Sequence, residues 1–194
     1  MPIFTNDTLT LPAINHSSTL ATSRLRLQPM RQGEALCQVV LLGDSGAAKR
    51  TLGAPRVARD RDADASAVST PRGKSFSWTI RSLDNDAFLG YVGLHEVESS
   101  HGRAVITLWM VASSGWNIHA AEATQAVLAF GFTDVGLGRV SALTPTGEQS
   151  MSAVLRQVGL RKVRPPRNRT PDDAFECVSI WEISLAQWLR GLQS

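Results

Sequence analysis

Glu96 and Glu98 stand two positions apart, directly after His95. In an extended strand, residues two apart share a face, so the two carboxylates project together and are placed to take a proton through water. His95 projects the other way. His119 falls where a helix is expected to begin. As a cation it would favour an anion held by the amide hydrogens of a helix N-terminus; as an ordinary residue it caps the surface. The densest basic run is Arg161, Lys162, Arg164, Arg167 and Arg169, either a solvated loop or a contact for an acidic ligand. The 4 histidines lack the paired spacing that zinc demands, so no metal site is expected. Cys37 and Cys177 form no CxxC pair and read as small, reduced, partly buried hydrophobes.

The elements that must position these groups follow from periodicity. A chain of 194 residues with 43% hydrophobic composition fits one domain with an ordinary core. Charged residues are 19% and the formal net charge is +3, which argues against a nucleic-acid-binding face. No apolar stretch approaches the roughly 18 residues that span a bilayer, and the first residues lack a secretory pattern. A protein without a membrane segment, cytoplasmic, monomeric or homodimeric, is expected. Residues 1–21 read as a flexible arm and 22–194 as the domain, with 53–74 a variable loop of alternating charge that is solvated or acts as a lid. Strands are expected at 24–29, 75–82, 87–97, 103–111, 139–144 and 175–183. Helices are expected at 31–42, 119–133, 148–158 and 185–192. Both faces of 103–111 are apolar, the mark of a central strand. A meander followed by βαβα units implies a mixed α/β (α+β) sheet of about six to seven strands with helices on both faces.

Landmarks along this frame resemble the GNAT acetyltransferase superfamily, in particular its ribosomal-protein N-terminal acetyltransferase branch. Thr22-Ser23-Arg24-Leu25-Arg26-Leu27 is similar to that branch's "T-x-R-L-x-L", Gly90-Tyr91-Val92-Gly93-Leu94 to its "G-x-x-G-L", and Arg103-Ala104-Val105-Ile106 to its "R-A-E-I". Val154-Leu155-Arg156-Gln157-Val158-Gly159-Leu160 is similar to "V-L-x-K-x-G-F", and Trp181-Glu182-Ile183 with Trp188 to the usual ending. The resemblance implies acetyl-CoA as co-substrate in a V-shaped opening beside strand 103–111. It implies a diphosphate on the following helix N-terminus, an oxyanion held by a backbone N–H near Val111, and an amine acceptor, either a small molecule or a protein N-terminus. The implied cofactor-binding set is Met110, Val111, Trp116, Asn117, Ile118, His119 and Ala120.

The chain departs from the family pattern at several points. Where the phosphate loop reads [Q/R]-x-x-G-x-[G/A], this sequence has Gly115-Trp116-Asn117-Ile118-His119-Ala120. A β-branched Ile118 at the key glycine is expected to crowd the phosphates and weaken their binding. In the late helix, Glu148 and Met151 stand where "N-x-x-S" is usual. A one-residue slip brings Ser150 or Ser152 toward the sulfur, while Met151 at helical spacing reads as core. Val105 replaces a common glutamate, and the lone tyrosine, Tyr91, lies outside the late helix. Glu96 and Ser150 are therefore the catalytic candidates. The alternative reading is a non-catalytic protein of the same fold that binds a ligand or partner in its cleft.

Overall fold

The computed structural model describes residues 18–30, 51–52, 74–98, 100–111, 115–164 and 178–193. Nine strands form one mixed sheet: β1 (Leu20–Ala21), β2 (Leu25–Pro29), β3 (Thr51–Leu52), β4 (Lys74–Ser82), β5 (Phe88–Glu98), β6 (Arg103–Met110), β7 (Arg139–Pro145), β8 (Arg161–Val163) and β9 (Val178–Ser184). The helices are α1 (Trp116–Thr133), α2 (Gln149–Gln157) and α3 (Leu185–Gly191). In space the strands run β1-β2-β4-β5-β6-β7-β9-β8, with β3 attached to β6. Among the described residues only β6 and β7 pair in parallel. The α+β class and mixed sheet are as expected, but the strand count exceeds six or seven. The extra strands β1, β3 and β8 are two or three residues long, too short to leave a period-two pattern in sequence.

Local chemistry explains each boundary. The β4–β5 hairpin turns at Asn85, whose side chain accepts from the Ala87 amide while the Ser82 amide donates to Ala87 O. Alternation in β2 buries Leu25 and Leu27 on one face. Helix α1 buries a broad face, with Ala120, Thr124, Val127, Leu128 and Gly131 on it, and leaves Ile118, Gln125 and Thr133 exposed, as a helix laid over one face of a sheet must. Phe130 meets Phe76 and Trp78 edge-on, at 5.3 and 5.0 Å between ring centroids. Helix α1 starts at Trp116, three residues before the expected 119. Gly115 takes the left-handed conformation (φ 82) that begins it, while Trp116 is buried and anchors the first turn. Glu148 caps α2 by accepting from the Ser150 amide, and a Ser184–Gln187 capping box starts α3.

The core lies between the sheet and α1, around Trp78, Ile80, Val92, Leu94, Ile106, Leu108 and Leu128. Tyr91 and Trp109 stack on the opposite face. The expected helix at 31–42, the loop 53–74 up to Lys74, the loop 165–173, Cys37, Cys177, Arg167 and Arg169 lie outside the described residues.

One interruption of the sheet matters for function. β6 and β7 pair only at Arg103–Val105 with Arg139–Ser141, yet β6 continues to Met110 and β7 to Pro145. Beyond Val105 the two strands part, opening a V toward their C-terminal ends.

Candidate functional site

Along β6, successive backbone N–H groups point to alternate edges. Val111 donates to Leu89 O at 2.8 Å, so odd-numbered amides of this strand serve β5 and even-numbered ones face the V. The parallel pairing of Val105 with Ser141 takes the Ile106 amide, so those of Leu108 and Met110 face the opening; the Val111 amide itself belongs to the β5 ladder, and a donor near that residue is its neighbour Met110. Since β5 holds one edge of β6 from Arg103 to Met110, β3 must lie on the other. It pairs there, Thr51 with Trp109 and Leu52 with Leu108, inside the mouth of the V.

At that mouth stands the N-terminus of α1. Its first turn carries no acidic residue, and no side chain caps it. The amides of Ile118 and His119 both donate to Gly115 O. Those of Trp116 and Asn117 have no backbone acceptor among the described residues, and an 18-residue helix places partial positive charge behind them. Two side-chain nitrogens add to this: Trp116 Nε1 and His119 Nδ1 are buried without a hydrogen-bond partner. The His119 ring lies over Gly115, where a Cβ would come within 3.3 Å of its Cε1. Unpaired buried N–H groups beside a helix N-terminus suit a multiply charged anion.

The model of the acetyltransferase (GNAT) domain matches residues 24–161. The chain belongs to the GNAT acetyltransferase family. An uncharacterized N-acetyltransferase of Bacillus subtilis, YoaA, is 27% identical over 89 residues. The match takes in 46% of this chain and 50% of that protein, so the chain spans about half the length of this curated relative. Among solved structures, a spermidine N-acetyltransferase variant from Vibrio cholerae is similar with a TM-score of 0.61 at 12% identity, covering 87% of this chain and 98% of that one. An acetyltransferase from Agrobacterium tumefaciens gives 0.58 at 13%, covering 87% and 95%. A presumed ribosomal-protein-serine acetyltransferase from Vibrio cholerae gives 0.56 at 13%, covering 86% and 97%. At these identities the likeness is one of fold.

Within this GNAT domain the residues expected at the cofactor site divide in two. Met110, Trp116 and Ala120 are buried in the core. Val111, Asn117 and Ile118 are exposed and His119 is half-buried. Ile118, half exposed at 50%, points to solvent instead of crowding the phosphate end. The left-handed glycine that such a loop needs is supplied at Gly115. Among the described residues, then, the diphosphate end fits CoA: the amides of Trp116 and Asn117, the Trp116 indole N–H and His119 are the groups to hold it. The arm beside β6 is a tighter matter, because β3 shares that edge.

The two catalytic candidates are not brought together. Glu96 sits in a β-bulge of β5 with φ 52, exposed, opposite the closed end of the V. Ser150 lies in the first turn of α2, beyond the open end. With β7 Pro145 level with the end of β6, at least four strand residues separate them along the axis, roughly 13 Å or more. Met151 is core, at 2% exposure, and Glu148 is spent on its cap. Tyr91 is buried, which pushes its phenol up to about 12 and removes it as an acid near neutrality. Arg161, Lys162 and Arg164 are exposed, the first two on the edge strand β8, where charge guards against edge pairing.

Sequence reasoning placed Trp116 in the cofactor set without singling out its indole N–H, and it passed over the group around His95. The parity of β5 puts His95 on the face away from α1, and burial lowers its pKa from the ordinary value. Its signal in sequence was the glycine two positions earlier, Gly93. A Cβ there would lie 2.8 Å from His95 Nε2 and 3.0 Å from Ser77 Oγ.

Proposed function

We propose that this GNAT domain transfers the acetyl group of acetyl-CoA to a primary amine, on a small molecule or a protein N-terminus. The observation that carries the reading is the V between β6 and β7 with the uncapped N-terminus of α1 at its mouth. The Trp116 and Asn117 amides, with Trp116 Nε1 and His119, bind the diphosphate. The β6 amides that face the opening, those of Leu108 and Met110, donate to the thioester oxygen as it gains charge, where the arm takes the place of β3. The acceptor nitrogen attacks the carbonyl carbon, the C–S bond breaks, and the thiol departs after protonation.

Thermal unfolding with and without acetyl-CoA tests this. Ligand at about 100 times its dissociation constant adds roughly 2.7 kcal/mol, a rise of a few degrees in Tm for a chain of this size. Thiol release with spermidine and with a free-N-terminus peptide then separates the acceptor classes. The pairing of β3 on β6 favours a second reading, a binding protein whose cleft holds a segment of its own chain. No rise in Tm at millimolar acetyl-CoA selects that reading.

A further inference from the structure

We propose that His95, on the sheet face that also carries Ser77 and Thr107, is the base that takes the proton of the attacking amine. This rests on the acetyltransferase reading and adds a residue to it.

The placement comes from register. His95 pairs across from Val105, the last residue of β6 that still pairs with β7, on its Ser141. The imidazole is therefore one strand away from the point where the V closes. Gly93 and Thr107 are cross-strand partners, as are Gly93 and Ser77. With no side chain at Gly93, the ring folds back over the strand toward Ser77, and Thr107 stands across from Gly93 on the other neighbour. Thr107 Oγ1 and Ser75 Oγ are buried and lack hydrogen-bond partners, and among the described residues no hydrogen bond or ion pair engages His95. Buried hydroxyls without partners are rare because they forfeit their hydrogen bonds to water. Here two of them stand on the strands either side of a half-buried imidazole beside the end of the cleft, and an amine or a water supplies the partner they lack.

The rival carboxylates on this face are already engaged among the described residues. Glu98 pairs with His101 at 3.3 Å and Glu182 with Arg139 at 2.9 Å. Arg103 is exposed beyond Val105, and Tyr91 stays neutral across the working range. His95 is held in its neutral form by burial, which is the form a base needs. In the step, the nitrogen–carbon bond forms, the C–S bond breaks, the amine proton passes to the imidazole, and the thiolate takes a proton from water. The imidazolium then returns its proton to solvent.

The test compares wild type with His95→Gln, using acetyl-CoA and the faster of spermidine and a peptide with a free N-terminal serine. The wild-type kcat/KM falls as pH drops through a value below 6.5. In the variant that limb disappears, and the rate at pH 7 falls by about 100-fold, while acetyl-CoA still raises Tm. Activity within twofold of wild type with the limb intact overturns the proposal and leaves the acetyltransferase reading standing. Absence of any Tm rise or turnover in the wild type overturns both. If His95→Gln does not fold, the imidazole resonances of wild-type His95 decide: they must titrate below 6.5 and move when CoA binds, and resonances indifferent to CoA overturn the proposal.

Discussion

Glu122 shows how one side chain ties the start of the domain to its central helix. Its carboxylate accepts from Ser23 Oγ at 3.0 Å and from the Arg24 amide at 2.9 Å, and Arg24 Nε lies 3.2 Å away. Burial raises its pKa, but hydrogen bonds from Thr22, Arg24 and Ser23 and the Arg24 charge outweigh that, and the net shift is downward. A folded pKa below the unfolded one means stability that is present above the unfolded value and lost as pH falls through the folded one. Glu122→Gln is therefore expected to cost about 1–2 kcal/mol at pH 7 and much less near pH 3, read from urea midpoints at the two pH values. Gly115 supports a second prediction at this scale. An alanine there meets both a φ of 82 and the His119 ring, so Gly115→Ala is expected to cost about 1–2 kcal/mol. It should also raise the Kd for acetyl-CoA, measured by calorimetry, because the first turn of α1 must shift.

At the scale of elements, the decisive pair is β3 and the exposed edge of β6. The amides that face the V are the ones β3 uses at Leu108 and Trp109's neighbours, and a ligand arm laid along β6 competes for them. Saturating acetyl-CoA is expected to speed hydrogen exchange at Thr51 and Leu52 while exchange at Leu108 and Met110, handed from β3 to the ligand, stays slow. Unchanged rates at Thr51 and Leu52 would mean that the arm and β3 lie side by side. Helix α2, by contrast, was legible to within one residue at each end, 148–158 expected against Gln149–Gln157. Glu148 and the spacing of Met151, Val154 and Leu155 mark cap and buried face alike, because both are local properties.

For the whole molecule, Phe130 joins the helix that carries the anion site to the sheet that carries the V. Its ring sits against both Phe76 and Trp78, and all three are buried. Phe130→Ala is expected to cost about 3–5 kcal/mol, seen as a large fall in Tm. The rise in Tm on adding acetyl-CoA should shrink with it if the angle between α1 and β6 sets affinity.

Much of this protein was legible in sequence. The apolar faces of 103–111, the hairpin turn at Asn85 and the amphipathic spacing after Glu148 are consequences of neighbours along the chain, so order and type of most elements, and with them the GNAT family, could be read directly. The start of α1 could not, because a left-handed Gly115 and the burial of Trp116 depend on what packs behind them. Nor could the separation of Glu96 from Ser150, the loss of the Val111 amide to β5, or the placing of Ser77, His95 and Thr107, from three strands, on one sheet face. Register alone assembles such groups, and register is set by side chains that meet only once the sheet has formed.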